Sequence, residues 1–142
     1  MSNGTLTKTV ILNASPDTVW EYLTNKDKLA EWFHAADSHL TEGKDYALLG
    51  TQDDGTQSKL CWGSVLEATP PSKLVYTFTC GPLNGLLTTV TWQLTKVAGG
   101  TCVTLIHEGV PEASGDAALP MLMDFDKGWD EHFTRLRDKA VS

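Results

Sequence analysis

Positive charge is scarce in this sequence, and the shortage limits the partners that the protein can bind. Eleven lysine and arginine residues stand against 18 aspartate and glutamate residues, the formal net charge is −7, and the basic residues form no cluster. Proteins that bind nucleic acids or anionic membrane surfaces normally present a basic patch. The sequence therefore predicts no nucleic-acid partner.

Targeting and membrane-spanning segments are also missing. Residues 1–5 lack the basic stretch and apolar run of a signal peptide, and no apolar run reaches the roughly 18 residues of a membrane span. Cys61, Cys80 and Cys102 are odd in number, widely spaced and without a C-x-x-C motif, which is typical of free thiols in a reducing compartment. We therefore expect a cytoplasmic protein with three free thiols and no membrane insertion.

Motifs for metals, cofactors and nucleophilic catalysis are absent as well. The four histidines, His34, His39, His107 and His132, include no pair at the H-E-x-x-H spacing and have no cysteine near them in sequence. Neither a phosphate-binding glycine loop nor a G-x-S-x-G segment occurs. The sequence predicts no metal and no cofactor.

The composition is ordinary for a globular protein, and the pattern of apolar residues predicts a mixture of helices and strands. Hydrophobic residues make up 41% and charged residues 20% of the 142 positions, without linkers or repeats, so we expect one domain over residues 1–142. A strand over Leu6–Asn13 precedes two short helices, one starting at Ser15-Pro16 and one near Asp27. Five further strands are predicted at Asp45–Leu49, Lys59–Thr69, Lys73–Cys80, Leu86–Val97 and Thr101–Glu108.

The chain ends in a long amphipathic helix, predicted from Pro120 to about Ala140. Its apolar stripe consists of Leu122, Phe125, Trp129, Phe133, Leu136 and Ala140. Alternation in the strands directs a matching set inward, namely Leu74, Tyr76, Phe78, Cys80, Val90, Trp92, Leu94, Val103, Leu105 and His107. Whether Cys61 or Trp62 faces inward stays open, because Val65 and Leu66 are adjacent and both apolar.

Several segments in this order resemble a known family. They are Ala14-Ser15-Pro16 to Val19-Trp20, Leu29 to Trp32, Gly63-Ser64-Val65 to Tyr76, Gly100 to Gly109, and Gly128-Trp129 with His132. Together they resemble the START-like (SRPBCC) superfamily, in its branch of activator of heat-shock protein 90 ATPase homologue-like proteins. The resemblance implies an α+β helix-grip fold, in which a curved antiparallel sheet of about six or seven strands wraps around a long C-terminal helix.

The same resemblance implies a cavity between sheet and helix that holds hydrophobic or amphipathic small molecules. We expect its lining to include Trp32, Phe33, Trp62, Tyr76, Phe78, Trp92, His107, Met121, Phe125 and Trp129. The function expected first is binding or carriage of such a ligand, without catalysis. Two alternatives remain open: an enzyme that uses the same cavity, or a co-chaperone-like domain with a protein partner, as a monomer or a homodimer.

His107 decides between two of these interpretations. As a structural residue it would donate a hydrogen bond to a backbone carbonyl inside the core. As a functional residue it would serve as a polar anchor or an acid–base group at the cavity wall, because imidazole titrates near neutral pH. An enzyme could add only Tyr76 and either Cys61 or Cys80 to it, and no nucleophile–base pair is visible in the sequence.

Overall fold

The computed structural model describes residues 4–51, 53–83, 85–111 and 115–141. The α-helices that position the site are α1 (Pro16–Thr24), α2 (Lys26–Trp32) and α3 (Ala118–Lys139), and short 3-10 helices lie at Gly81–Leu83 and Gly115–Ala117. The strands are β1 (Leu6–Leu12), β2 (Ala35–Ala36), β3 (Asp45–Thr51), β4 (Gln57–Thr69), β5 (Lys73–Cys80), β6 (Thr88–Val97) and β7 (Gly100–Glu108). All strands pair antiparallel in one sheet, in the order β1-β7-β6-β5-β4-β3-β2.

The sheet curls into a half-barrel, and α3 packs into it through Trp129, Phe133 and Leu136. This arrangement confirms the predicted α+β helix-grip fold. The strand β2 was not predicted, because two residues are too few to show alternation. Helix α3 starts two residues before the predicted Pro120. Proline is tolerated there because backbone N–H groups in the first turn of a helix have no partner within it.

A single residue, Asn25, separates α1 from α2 and brings the end of α2 under the sheet. The Oδ1 atom of Asn25 accepts a hydrogen bond from the backbone N of Asp27 at 2.9 Å, which caps α2. The chain turns sharply at this cap, and Trp32 Nε1 donates to the carbonyl oxygen of Tyr22 at 2.7 Å. Helix α2 thereby delivers Trp32 and the following Phe33 to the core.

Gly63 allows β4 and β5 to approach closely where the sheet bends. A Cβ atom at this position would overlap the carbonyl oxygen of Thr77. The same oxygen accepts a hydrogen bond from Tyr46 Oη at 2.8 Å, and Thr77 Oγ1 accepts one from the backbone N of Ser64 at 2.9 Å. Register irregularities in β3–β4 and β4–β5 add to the bend. Together these features produce the concave face on which α3 lies.

The predicted inward set on β5, β6 and β7 is confirmed, since all ten of its residues are buried. The structure also shows which of Cys61 and Trp62 on β4 faces inward. Cys61 packs against the core, whereas Trp62 lines a groove with Lys59 and Leu87. Adjacent residues of a strand point to opposite faces. Cys61 therefore faces inward and Trp62 faces outward.

An ion-pair cluster ties the middle of α3 to the edge strand β1. The Nζ atom of Lys8 contacts the carboxylate of Asp126 and lies 3.0 Å from Oδ1 of Asp130. The two carboxylates are one helical turn apart, so one ammonium group reaches both. The hydrogen bond to Asp126, with further contributions from both carboxylates, raises the pKa of Lys8.

Candidate functional site

A pocket of about 120 Å³ lies between α3, the end of α2 and the strands β4 and β5; we term it the aromatic pocket. Its lining residues are Phe33, His34, Cys61, Phe78, Phe125, Gly128, Trp129 and His132. An engineered cavity of about 150 Å³ binds benzene, whereas sites for drug-sized ligands begin near ~300 Å³. The aromatic pocket therefore has room for about one ring.

Helix α3 supplies half of the lining. Phe125, Gly128, Trp129 and His132 follow helical spacing, so their side-chain positions lie along one face. A Cβ atom at Gly128 would meet no atom within 4 Å, which means that this glycine borders open space rather than a neighbouring backbone. The glycine in the middle of α3 thus leaves part of the pocket unfilled.

Aromatic rings from three elements form the walls. The ring of Phe33 stacks on Trp129, with centroids 5.4 Å apart and planes inclined by 29°. Across the pocket, Phe78 meets Phe125 edge-on at 6.1 Å. Trp92 supports Trp129 from the sheet in an edge-to-face contact at 5.7 Å. These contacts fix the rings around the empty space.

His107 is fully buried behind this wall, and both of its ring nitrogens are hydrogen-bonded. Trp129 Nε1 donates to His107 Nδ1 at 3.1 Å, so the neutral ring carries its proton on Nε2. That Nε2–H donates to Thr88 Oγ1 at 2.8 Å, and the hydroxyl in turn donates to the carbonyl oxygen of Phe78 at 2.6 Å. Burial lowers the pKa of His107 to about 4. The imidazole is therefore neutral and has no nitrogen free for a ligand or a proton transfer.

A second group of nitrogen-bearing side chains forms the rim of the pocket. Arg135 Nε donates to the carbonyl oxygen of Trp32 at 3.1 Å, and Arg135 Nη2 donates to His132 Nδ1 at 2.6 Å. The ring of His34 lies 5.3 Å from that of His132. Burial, followed by the charges of His34 and Arg135, lowers the pKa of His132 to about 4. Burial and then Arg135 also lower the pKa of His34.

Two cysteines face each other across β4 and β5 beside the pocket. Cys61 is directly paired with Cys80, and none of the three cysteines forms a disulfide, as predicted. Interaction with the neighbouring Cys61 thiol lowers the pKa of Cys80, whereas interaction with Cys80, together with burial, raises the pKa of Cys61. A hairpin thus brings together two thiols that are widely spaced in sequence.

The structure brings most of the predicted cavity residues together. Phe33, Phe78, Phe125 and Trp129 line the aromatic pocket, while Trp32, Trp92 and His107 contact these rings from behind. Tyr76 lies further back, where its Oη accepts a hydrogen bond from Trp92 Nε1 at 3.0 Å. Trp62 is not at the pocket because it faces outward. Met121 lies one turn before Phe125 on α3 and is not among the lining residues.

Four lining residues were missing from the predicted set: His34, Cys61, Gly128 and His132. The sequence held a signal for His132, since it follows Trp129 by three positions on a helix. The sequence signal for Gly128 was weaker: a glycine in the middle of a helix lowers its stability, which suggests that the position has another role. No pattern identified His34, which follows α2 in an irregular segment. The face of the sheet on which Cys61 lies could be determined only from the pairing of the strands.

Within the described part of the chain, no group of three histidine, cysteine, aspartate or glutamate residues could hold a metal ion. None of the helices in those ranges is long and apolar enough to cross a membrane.

The curled antiparallel sheet closed by a C-terminal helix defines a protein of the helix-grip class. The profile of the family described as Activator of Hsp90 ATPase homolog 1-like protein matches residues 13–140, and the chain belongs to this family. The resemblance noted from the sequence is therefore confirmed. No curated protein is similar enough to match the chain.

Solved structures agree on the fold. Protein MLL2253 from Mesorhizobium loti is 23% identical over 94% of each chain, with a TM-score of 0.77. Protein CV1439 from Chromobacterium violaceum is 18% identical over 99% of each chain, with a TM-score of 0.78. The Aha1 dimer from Colwellia psychrerythraea is 17% identical over 96% of this chain and 95% of its own, with a TM-score of 0.74. At these identities the likeness concerns the fold alone.

Proposed function

We propose that the protein binds or carries a small hydrophobic or amphipathic molecule in the aromatic pocket. One observation carries the proposal: about 120 Å³ of space stays unfilled between α3 and the sheet, although aromatic rings surround it. Protein interiors are otherwise close-packed, with few voids larger than a water molecule. An apolar space that is walled by rings and bordered by a glycine suits a ligand better than a core.

The volume of the pocket limits the size of the ligand that it can hold. Room for about one ring admits a monocyclic group, whereas a larger ligand would require α3 to move away from the sheet. An enzymatic role has less support, because His107 uses both ring nitrogens within the core. Tyr76 is also buried, and burial raises the pKa of its hydroxyl.

The test uses toluene, a single-ring probe, and ligand-observed NMR. Wild-type protein should show saturation transfer to toluene, and Gly128→Leu should abolish it by filling the pocket. Thr134→Leu, on an exposed turn of the same helix, is the matched control and should bind as the wild type does. Failure of the wild type to bind toluene up to its solubility limit would show that the space is only a packing defect.

A protein partner is the second candidate, and one surface favours it. Leu119 and Met123 lie one turn apart on α3 and are 67% and 62% exposed. The relative from Colwellia psychrerythraea is described as a dimer. If this surface joins two copies, sedimentation velocity should detect a homodimer that Met123→Glu dissociates. A monomer at every concentration would remove the support for a homodimer.

A further inference from the structure

The rim of the aromatic pocket differs from its interior in chemistry. His34 and His132 both lie against Phe33, with ring centroids 4.8 and 4.6 Å from that of the phenyl ring. Both imidazoles also line the pocket, and Arg135 bonds to His132. Three side chains that carry N–H groups or positive charge are thus concentrated at one edge of an apolar space, in a chain whose net charge is −7.

The hydrogen bonds already made by Arg135 determine which atom of His132 is available. A guanidinium can only donate, so His132 Nδ1 accepts from Arg135 Nη2 at 2.6 Å. The carbonyl oxygen of Trp32 lies farther from the same nitrogen, at 3.4 Å, and the shorter contact assigns the proton of the neutral imidazole to Nε2. Among the described residues, neither this Nε2–H nor a ring nitrogen of His34 has a hydrogen-bond partner. The rim therefore offers donors that the protein itself does not use.

The other groups that face the rim do not supply a negative counter-charge. Arg135 disfavours the protonated form of both imidazoles, and His34 adds to the effect at His132. From β4 the facing titratable group is Cys61, which is paired with Cys80 and whose pKa is raised by that neighbour and by burial, so its thiol stays protonated. From β5 the pocket is lined by Phe78, which does not titrate. No ion pair among the described residues involves Arg135, His34 or His132, so a bound anion would add a partner of opposite charge.

We propose that the aromatic pocket recognises a monocyclic aromatic carboxylate, with the ring inside the pocket and the carboxylate at His34 and His132. This inference rests on the proposed function and names its ligand class. A planar carboxylate attached to a ring leaves the apolar space at its edge, where two donors can each meet one oxygen. Arg135 is a positioning residue: it fixes the tautomer of His132 and adds a positive field.

Isothermal titration with benzoate and with its neutral isostere benzamide tests the proposal. Wild-type protein should bind benzoate about tenfold more tightly than benzamide, the gain expected for charge-assisted hydrogen bonds. Arg135→Met should remove most of this preference, so that the affinities for benzoate and benzamide become similar. Arg137→Met deletes the same charge from an exposed position two residues along α3, and it should keep the preference. His34→Gln provides a second rim variant if Arg135→Met proves poorly folded.

The pH dependence of benzoate affinity tests the rim imidazoles directly, because it would not change if their role were only structural. A bound anion raises the pKa of each rim imidazole, so benzoate affinity should increase as the pH falls from 7 to 5, with net proton uptake. Each unit of pKa increase corresponds to at most about a tenfold gain in affinity. Benzamide affinity should stay constant over this range.

Two outcomes separate the inference from the proposal beneath it. Equal binding of benzoate and benzamide at every pH would overturn carboxylate recognition while leaving a ligand pocket in place. Binding of neither compound, together with a negative result for toluene, would overturn both. A preference for benzoate that survives Arg135→Met and His34→Gln would also refute the assignment of the rim.

Discussion

At the scale of single residues, His107 connects four elements of the fold. It lies on β7, accepts from Trp129 on α3, and donates to Thr88 on β6, which in turn reaches the carbonyl oxygen of Phe78 on β5. Every polar atom in this series of hydrogen bonds has a partner, as is normal for polar groups that are buried. His107 thus holds one wall of the pocket in place. Because both of its ring nitrogens are already hydrogen-bonded, it has no free atom with which to anchor a ligand, as the sequence-based hypothesis of a polar anchor would require.

The buried histidine predicts a loss of stability in mild acid. Its pKa is about 4 in the folded protein and near 6.5 in the unfolded chain, so the unfolded state binds a proton first. The contribution of His107 is complete above about pH 6.5 and is lost as the pH falls towards 4, by up to about 3 kcal/mol. Urea unfolding at pH 7 and pH 4.5 measures the loss, which His107→Gln should reduce.

An unaltered slope of stability against pH in His107→Gln would mean that other groups cause the acid sensitivity, among them His132, whose pKa is also lowered.

At the scale of elements, Gly128 lowers the stability of α3 and leaves open space in the aromatic pocket. Gly128→Ala should raise the free energy of unfolding by up to about 1 kcal/mol, because alanine favours the helix and its Cβ meets no neighbour within 4 Å. The same methyl group should weaken toluene binding, since it reduces the pocket. Thermal unfolding and NMR titration of one variant measure both effects. Unchanged affinity would show that the Gly128 position faces away from the ligand.

The hairpin of β4 and β5 predicts an unusually acidic thiol. A hydrogen-bonding interaction with Cys61 lowers the pKa of Cys80. Cys61→Ala removes this interaction, so the midpoint of Cys80 alkylation by iodoacetamide should move up towards the ordinary thiol value of ~8.5. Peptide mass spectrometry across a pH series follows each cysteine separately. Cys102→Ser is the control, and a midpoint that does not move in Cys61→Ala would refute the thiol hydrogen bond.

Elements defined by local signals were predicted well. The strand Lys73–Cys80 has the predicted bounds, and α1 begins at Pro16 behind its Ser15 cap, because proline, cap and alternation all act within a few residues. The two-residue strand β2 and the extension of β3 to Thr51 depend on pairing with partners along the sheet. Such pairing leaves little trace in the sequence of either strand.

At the scale of the whole molecule, packing of the C-terminal helix on a sheet could be predicted because every long element has one apolar side that must be covered. The helix-grip arrangement itself was implied by the family resemblance. The site was predicted only where it coincides with the core. Trp62 was misplaced because adjacent apolar residues hid the facing of β4. His34 and His132 meet although they lie in distant parts of the chain, so no spacing rule could pair them. One domain over residues 1–142 and a cytoplasmic location remain predictions.

The anchoring of α3 also has a consequence for rates. Lys8 holds the helix at Asp126 and Asp130, and Arg135 fastens its later turns to the end of α2. If a ligand larger than the resting opening binds as proposed, α3 must lift from the sheet for it to enter or leave, and these attachments would then break. Residence time would then be set by how often the helix lifts, and screening of the Lys8 cluster by salt would shorten it without altering a single contact to the guest.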